Sequence, residues 1–259
     1  MTVRLPAVAG AFYPGGADPL RRMIAGFRPG AAPKAEHGII VPHAGYVYSG
    51  KTAAHAFAPF AKTSYEIIIL LGPSHHVGFR GVALDTNDVW STPLGEARID
   101  YSLLKTLVKE EPLFLTTEEP HQEEHALEVQ VPFLQYHAIE GPLAPLVVGQ
   151  LTDADATKIA EVLARLLENR KVLLVVSTDL SHYLSRAVGG KRDAASIAII
   201  EKLDLATFSD LDACGKYPLR IILHLCKQMG WAPKLVHRSD SGDETGDTNQ
   251  VVGYASFVF

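Results

Sequence analysis

Three histidines in this chain stand just beyond apolar runs that end in small, proline or hydroxyl residues. His43 follows Ile39-Ile40-Val41-Pro42. His75 follows Ile67 to Leu71 and the Gly72-Pro73-Ser74 turn, and His182 follows Val172 to Val176 and then Ser177-Thr178-Asp179-Leu180-Ser181. Near neutral pH an imidazole serves as a metal ligand or as a general base. Two imidazoles and one carboxylate leave positions open on a divalent metal, the arrangement of non-haem Fe(II) oxygenases and of some zinc hydrolases. Candidate carboxylates are Asp240 and Asp243 in the late loop SDSGDETGD, Glu128, and Asp179, which could instead orient an imidazole from behind. Such acidic loops are commonly solvated, and this one lacks the ordered spacing of a calcium loop. Nucleophilic catalysis has weaker support, because Ser74, Ser177 and Ser181 sit near histidines without a G-x-S-x-G elbow. Neither a G-x-x-x-x-G-K-[ST] loop nor a G-x-G-x-x-G turn is present for phosphate. His37, His55, His137, His224 and His237 read as structural, each satisfied by a local partner.

The elements that must position these residues follow from the apolar pattern. The three runs are short, β-branched and unbroken, as expected of strands covered on both faces. Ligand sites in such folds form beyond the carboxyl ends of the strands. Asp18-Pro19 predicts a helix cap and a helix through about Phe27, and residues 28–33 an extended link. A helix is expected from Lys51 to Ala61, its alanines allowing close packing, and Asp100 should cap another that runs to Glu110. Gly81 to Leu84 reads as a strand and WSTPLG as a turn. The segment EEHALEVQVPFLQYHA has a helical stripe with a break at Pro132, and would set His125 and Glu128 on one face. Further strands are expected at 146–148 and 234–237, further helices at 152–169, 190–203 and 218–229, and a closing strand in VVGYASFVF, pairing antiparallel at an edge. Strands alternating with long helices imply a layered α/β fold.

Composition narrows the setting. The 259 residues show no linker and suit a single domain over 1–259, and 47% hydrophobic residues fill a sizeable core. A formal net charge of -5, with scattered Lys and Arg, argues against a nucleic-acid partner. Cys214 and Cys226 have no metal-type spacing and no disulfide framework, which points to a reducing cytoplasm. The opening MTVRLPAVAGAFYP lacks a signal-peptide core, and no run approaches the ~20 apolar residues of a membrane span.

The stretches PAVAGAFYP, VPHAGYVYSG, LGPSHH, EEHALEVQVPFLQ, STDLSHY and GDTNQVVGYASF, in this order, resemble the Memo family, whose prokaryotic members are called AmmeMemoRadiSam system protein B. The resemblance covers essentially the whole chain. It implies a fold like that of the LigB-type class III extradiol dioxygenases, a three-layer α/β/α sandwich with a mostly parallel or mixed central sheet and one pocket above it. By motif it implies His43 and His75 as metal ligands, His182 as the acid/base residue, and His125 as a further catalytic residue of the pocket. The family's eukaryotic members place a cysteine ligand in the last loop, and none stands there in this chain. Asp243 is then the nearest substitute. The resemblance implies a bound divalent or redox metal, iron first, with copper or zinc as alternatives, and a functional association with a radical-SAM protein. The resulting expectation is a metal-dependent, dioxygenase-like oxidoreductase acting on an unidentified small aromatic or otherwise oxidisable molecule. The alternatives are a non-catalytic metal- or ligand-binding adaptor that kept the pocket, and a zinc-dependent hydrolase. Sequence leaves open whether His76, Glu128 and Asp179 line that pocket.

Overall fold

A computed structural model describes residues 1–30 and 33–259. Part of the link expected over 28–33 therefore lies outside the described residues. The strands are β1 (Val3–Arg4), β2 (Gly38–Val41), β3 (Ile67–Pro73), β4 (Val82–Leu84), β5 (Val89–Thr92), β6 (Gly95–Arg98), β7 (Phe114–Thr116), β8 (Leu143–Val148), β9 (Val172–Ser177), β10 (Lys234–Asp240) and β11 (Gly253–Val258). The helices are α1 (Ala17–Gly26), α2 (Tyr46–Phe57), α3 (Tyr101–Glu110), α4 (Glu119–Gln122), α5 (Val131–Tyr136), α6 (Asp153–Leu167), α7 (Arg186–Lys202), α8 (Lys216–Met229) and α9 (Gly242–Thr245).

Eight strands form the main sheet in the order β10-β11-β2-β9-β3-β8-β4-β7. The central four, β2, β9, β3 and β8, run parallel, and antiparallel partners flank them at β11 and β4. The apolar runs 39–41, 67–71 and 172–176 are buried along their whole length. Each fully buried Ile or Leu there contributes roughly 1.5–3 kcal/mol, which explains why these segments can only be interior strands. The connection from β2 through α2 to β3 crosses β9 in one direction, and that from β8 through α6 to β9 crosses β3 in the other. Right-handed crossovers of opposite sense put their helices on opposite faces. Accordingly α2 packs on β2, β10 and β11, while α6 packs on α8, which lies against β3 and β9. The result is a three-layer α/β/α arrangement around a mixed, mainly parallel sheet. A small second sheet, β1-β5-β6, holds the N-terminal segment.

Several local expectations change. Helix α1 starts after Gly16 with no side-chain cap, so Asp18 sits in its first turn rather than capping it. Helix α2 begins at Tyr46, directly after His43-Ala44-Gly45, and not at Lys51. Asp100 does cap α3, accepting the Leu103 N–H at 3.0 Å. Pro132 stands in the first turn of α5, where its missing N–H costs nothing, and so opens a helix instead of breaking one. The segment before it is a single 3-10 turn over 128–130, so His125 and Glu128 do not share a helical face. Strand β11 pairs antiparallel as expected, but between β10 and β2 and not at an edge. No helix among the described residues is long and apolar enough to cross a membrane.

Candidate metal centre

His43, His75 and His125 converge beyond the carboxyl ends of β2 and β3. Their ring centroids are 5.1 Å apart for His43 and His75, 5.4 Å for His43 and His125, and 4.7 Å for the stacked pair His75 and His125. β2 delivers His43, which is buried, and β3 delivers His75 through the Pro73-Ser74 turn. Gly72 makes the approach of the His125 segment workable, because a Cβ there would lie 2.7 Å from Leu127 Cδ2.

Hydrogen bonds fix how each ring is presented. The hydroxyl of Ser177, at the end of β9, donates to the Ala126 carbonyl at 2.7 Å. Its oxygen is thereby left to accept, from Gln130 Nε2 at 3.0 Å and from His43 Nδ1 at 2.9 Å. A hydroxyl has one proton, so this network assigns the proton of neutral His43 to Nδ1 and leaves a lone pair on Nε2. His75 is held by Glu124, whose carboxylate accepts from His75 Nδ1 at 2.8 Å, from His75 N–H at 2.6 Å and from Ala126 N–H at 2.8 Å. Burial alone would raise the Glu124 carboxyl, but its bonds to His75 and Ala126 and the His75 charge hold it at about 2. A carboxylate only accepts, so His75 too spends its Nδ1 proton there and is left with a free Nε2. An imidazole with its far nitrogen anchored to a hydroxyl or carboxylate is the usual preparation of a metal ligand.

A third candidate donor is Cys214, although its spacing from Cys226 is not of the metal type. It lies in the turn before α8, with Sγ 3.1 Å from His43 Nε2 and within 3.2 Å of the Asp179 backbone N–H. Gly215 permits this placement, since a Cβ there would sit 2.7 Å from Thr178 Cβ and 2.8 Å from the Ser177 carbonyl. One donor atom from each of His43, His75 and Cys214 falls within a mutual 4.8 Å, as do those of His75, Glu124 and His125. The signal that could have exposed Cys214 is the Cys-Gly pair ahead of a helix start. Two imidazoles and a sulfur suit iron, zinc or copper(I) and are too soft for calcium or magnesium. Without an ion, burial and the Asp179 charge push the Cys214 thiol up, and burial with the neighbouring His75 charge brings His43 down to about 3. His125 is lowered to about 4 by burial and the charge of His43. Burial would lower His75, but its bond to Glu124 and that charge raise it, so the pocket favours neutral His43 and His125 and a protonated thiol until a cation displaces the protons from its donors.

The remaining candidates are distributed around this centre. Asp179 is buried, accepts the His43 backbone N–H at 2.8 Å and lies 3.9 Å from His43 Nε2, while the far nitrogen of that ring is held by Ser177. His182 donates Nδ1–H to the Leu180 carbonyl at 2.8 Å and shares a cavity of about 520 Å³ with His125 and Asp179. His76 stands at the margin, 6.3 Å from the His125 ring. Asp243 is not brought into the cluster. It is half-exposed and bonded to Arg186 Nη2 at 2.6 Å, as Asp240 is also to the same guanidinium. The loop contains the short helix α9, and Asp243 on it reaches Arg186 on α7, whereas Cys214 stands with His43 and His75 as a candidate third donor. Glu128 faces away, taking bonds from Arg4, the Ala7 and Val8 N–H groups and Tyr13 Oη. This carboxylate pins the N-terminal segment so that Phe12 packs on His125, with ring centroids 4.7 Å apart.

The family model of Memo-like proteins matches residues 4–258 of the chain. Among curated proteins, a MEMO1 family protein of Thermoplasma volcanium is 34% identical, over 99% of this chain and 98% of its own length. Another from Aquifex aeolicus is 36% identical with both chains fully covered, and one from Methanococcoides burtonii is 36% identical over 99% of each. Among solved structures, the uncharacterized protein JW3007 of Escherichia coli K12 superposes with a TM-score of 0.53 at 12% identity, over 84% of this chain and 98% of that one, a likeness of fold alone.

Proposed function

The chain belongs to the Memo family, and on that footing we propose a metal-dependent oxidoreductase of dioxygenase-like type, its metal held by His43, His75 and Cys214 and its small oxidisable substrate in the adjoining cavity lined by His125, Asp179 and His182. The observation that carries this reading is the donor set: two imidazole Nε2 atoms, each with its far nitrogen anchored, and a sulfur within coordinating reach. Iron is the first choice of metal, with copper and zinc as rivals. When bound, the ion would supply Lewis acidity and, if iron or copper, electron transfer between substrate and oxidant.

Everything else falls to the chain's own side chains. Glu124 and Ser177 would hold the two imidazoles in register. His182, its Nδ1 proton given to the Leu180 carbonyl, has Nε2 available to take or return a substrate proton. His125, flanked by His75 and Phe12, is the second proton carrier, and Phe12 would shield that ring from bulk water. The want of a last-loop cysteine motivates the non-catalytic adaptor as an alternative, and a thiol at Cys214 within reach of His43 and His75 supports the oxidoreductase reading over it.

Metal analysis of protein purified without oxygen tests the reading. Stoichiometric iron or copper should be lost in the His43→Ala, His75→Ala double variant and strongly reduced in Cys214→Ser. Unchanged metal content in both would overturn the assignment. A zinc hydrolase is the second reading, favoured by the thiol donor, which zinc accepts as readily as iron does. Turnover that survives strict anaerobiosis with zinc alone would select it.

A further inference from the structure

We infer that the cavity above the histidine cluster selects organic cations, amines carried on a flat or aromatic body, over carboxylates and phosphates of equal size. This names a substrate class for the site proposed above, and rests on that reading only in holding that the bound molecule reacts there.

The first observation is the wall. Phe12, Tyr48, Tyr183 and Tyr254 line the cavity, and two of them leave much of their surface open, Tyr48 with 43% and Tyr183 with 72% exposed. Tyr183 also has a backbone φ of 58°, in the left-handed region that a bulky residue avoids. Its neighbours keep it there. His182 is tied to the Leu180 carbonyl at 2.8 Å, and the Leu184 carbonyl accepts the Val251 N–H at 2.8 Å. A strained, anchored and exposed tyrosine at the edge of a cavity is what a ligand clamp requires.

The second observation is the charge. Among the described residues no lysine or arginine lines the cavity, whereas Asp179 lies at its base and Asp247 at its rim. The loop that carries Asp247 also carries Asp240, Asp243 and Glu244, and the one guanidinium joined to it, Arg186, is shared between Asp240 and Asp243. A phosphate or carboxylate group would meet carboxylates and electron-rich ring faces with no donor cation to receive it. An ammonium group meets both of its preferred partners. At about 520 Å³ the space admits a molecule of one or two rings with a short side chain.

A matched series of phenethylammonium, phenethyl alcohol and phenylacetate, followed by protein NMR, tests this. The full-length protein is used as purified, with its metal content measured, and again after chelation, so that no ion attracts the carboxylate. Phenethylammonium should bind about tenfold more tightly than the alcohol, with phenylacetate weaker than either. Asp247→Asn keeps the side-chain oxygen that accepts the Asn249 N–H at 2.8 Å, so it removes charge without removing the turn. It should bring ammonium and alcohol to within about threefold of each other, and Tyr183→Ala should weaken the ammonium more than the alcohol, with Tyr183→Phe restoring it. Phenylacetate binding as tightly as phenethylammonium after chelation, or no ammonium binding at tens of millimolar, overturns the inference. So does an ammonium preference untouched by both Asp247→Asn and Tyr183→Ala. Protein that carries no metal as purified and takes up none of iron, copper or zinc, yet keeps the preference, would sink the metal reading alone; protein that binds a metal but lacks the preference after chelation would sink this one alone.

Discussion

The single proton of the Ser177 hydroxyl governs what His43 can offer. Spent on Ala126, it obliges the oxygen to accept from His43 Nδ1 and so frees Nε2. Ser177→Ala leaves the Nδ1–H without an acceptor, while the Gln130 amide keeps the Pro42 carbonyl at 3.0 Å, and metal affinity should fall about 10–100-fold. Glu124→Gln should act similarly through His75, since three N–H groups point at a carboxylate that the amide replaces with only one acceptor oxygen. Competition with a chromophoric chelator would measure both, and retained thermal melting would separate misorientation from misfolding. His43, His75 and His182 were legible in the sequence because each follows a buried strand, a position that topology alone makes a rim, whereas His125 follows none and was read only through the family motif. Cys214 was not, because it lies 171 positions from His43 and reaches it only through the turn before α8. Glu124 was hidden for another reason: adjacent acidic residues look alike until one of them is buried.

Among elements, the segment from His121 to α5 shows why local patterns mislead. Its stripe of apolar residues predicts one helix, yet the chain uses a 3-10 turn so that His125 and Glu128 can serve opposite sides. Glu128 forms a fully buried ion pair with Arg4, whose guanidinium also lies 4.3 Å from the Trp90 ring centroid. Removing one member strands the other charge in the interior. Glu128→Ala should therefore cost about 3–5 kcal/mol in denaturant unfolding and release the N-terminal segment, with Phe12 lifting from His125. Gly215→Ala belongs to the same scale. Its added methyl group meets the β9 backbone at the Ser177 carbonyl, so the Cys214 turn must back away. Metal binding should weaken more in this variant than its stability loss of about 1–3 kcal/mol would suggest, as isothermal titration beside thermal denaturation would reveal.

For the whole molecule, acid sensitivity should arise partly away from the metal centre. His237 on β10 stacks on His55 of α2 with ring centroids 4.1 Å apart, and accepts or donates at Thr52 Oγ1 over 2.9 Å. Burial, with repulsion from His55 and Lys51, lowers it from 6.5 to about 4. The unfolded chain therefore takes up this proton first, and stability present above pH 6.5 declines as pH falls toward 4. The full displacement corresponds to ~3 kcal/mol, which solvent screening at a half-buried site reduces to on the order of 1 kcal/mol. His237→Gln should flatten the dependence of melting temperature on pH across that window. A slope unchanged by the substitution would place the sensitivity elsewhere. The alternation of strands and helices made the layered architecture readable from residue pattern. The position of β11 was not readable, since pairing partners for an apolar strand are chosen by the assembled sheet and not by the strand itself. That position has a consequence for how the molecule is made. β11 follows both β10 and β2 in the chain yet lies between them, so the half of the platform bearing His43 stays unsealed until β11 has been made. Assembly of the candidate metal pocket thus waits on residues 253–258, and chaperone dependence should track the delay before they become available.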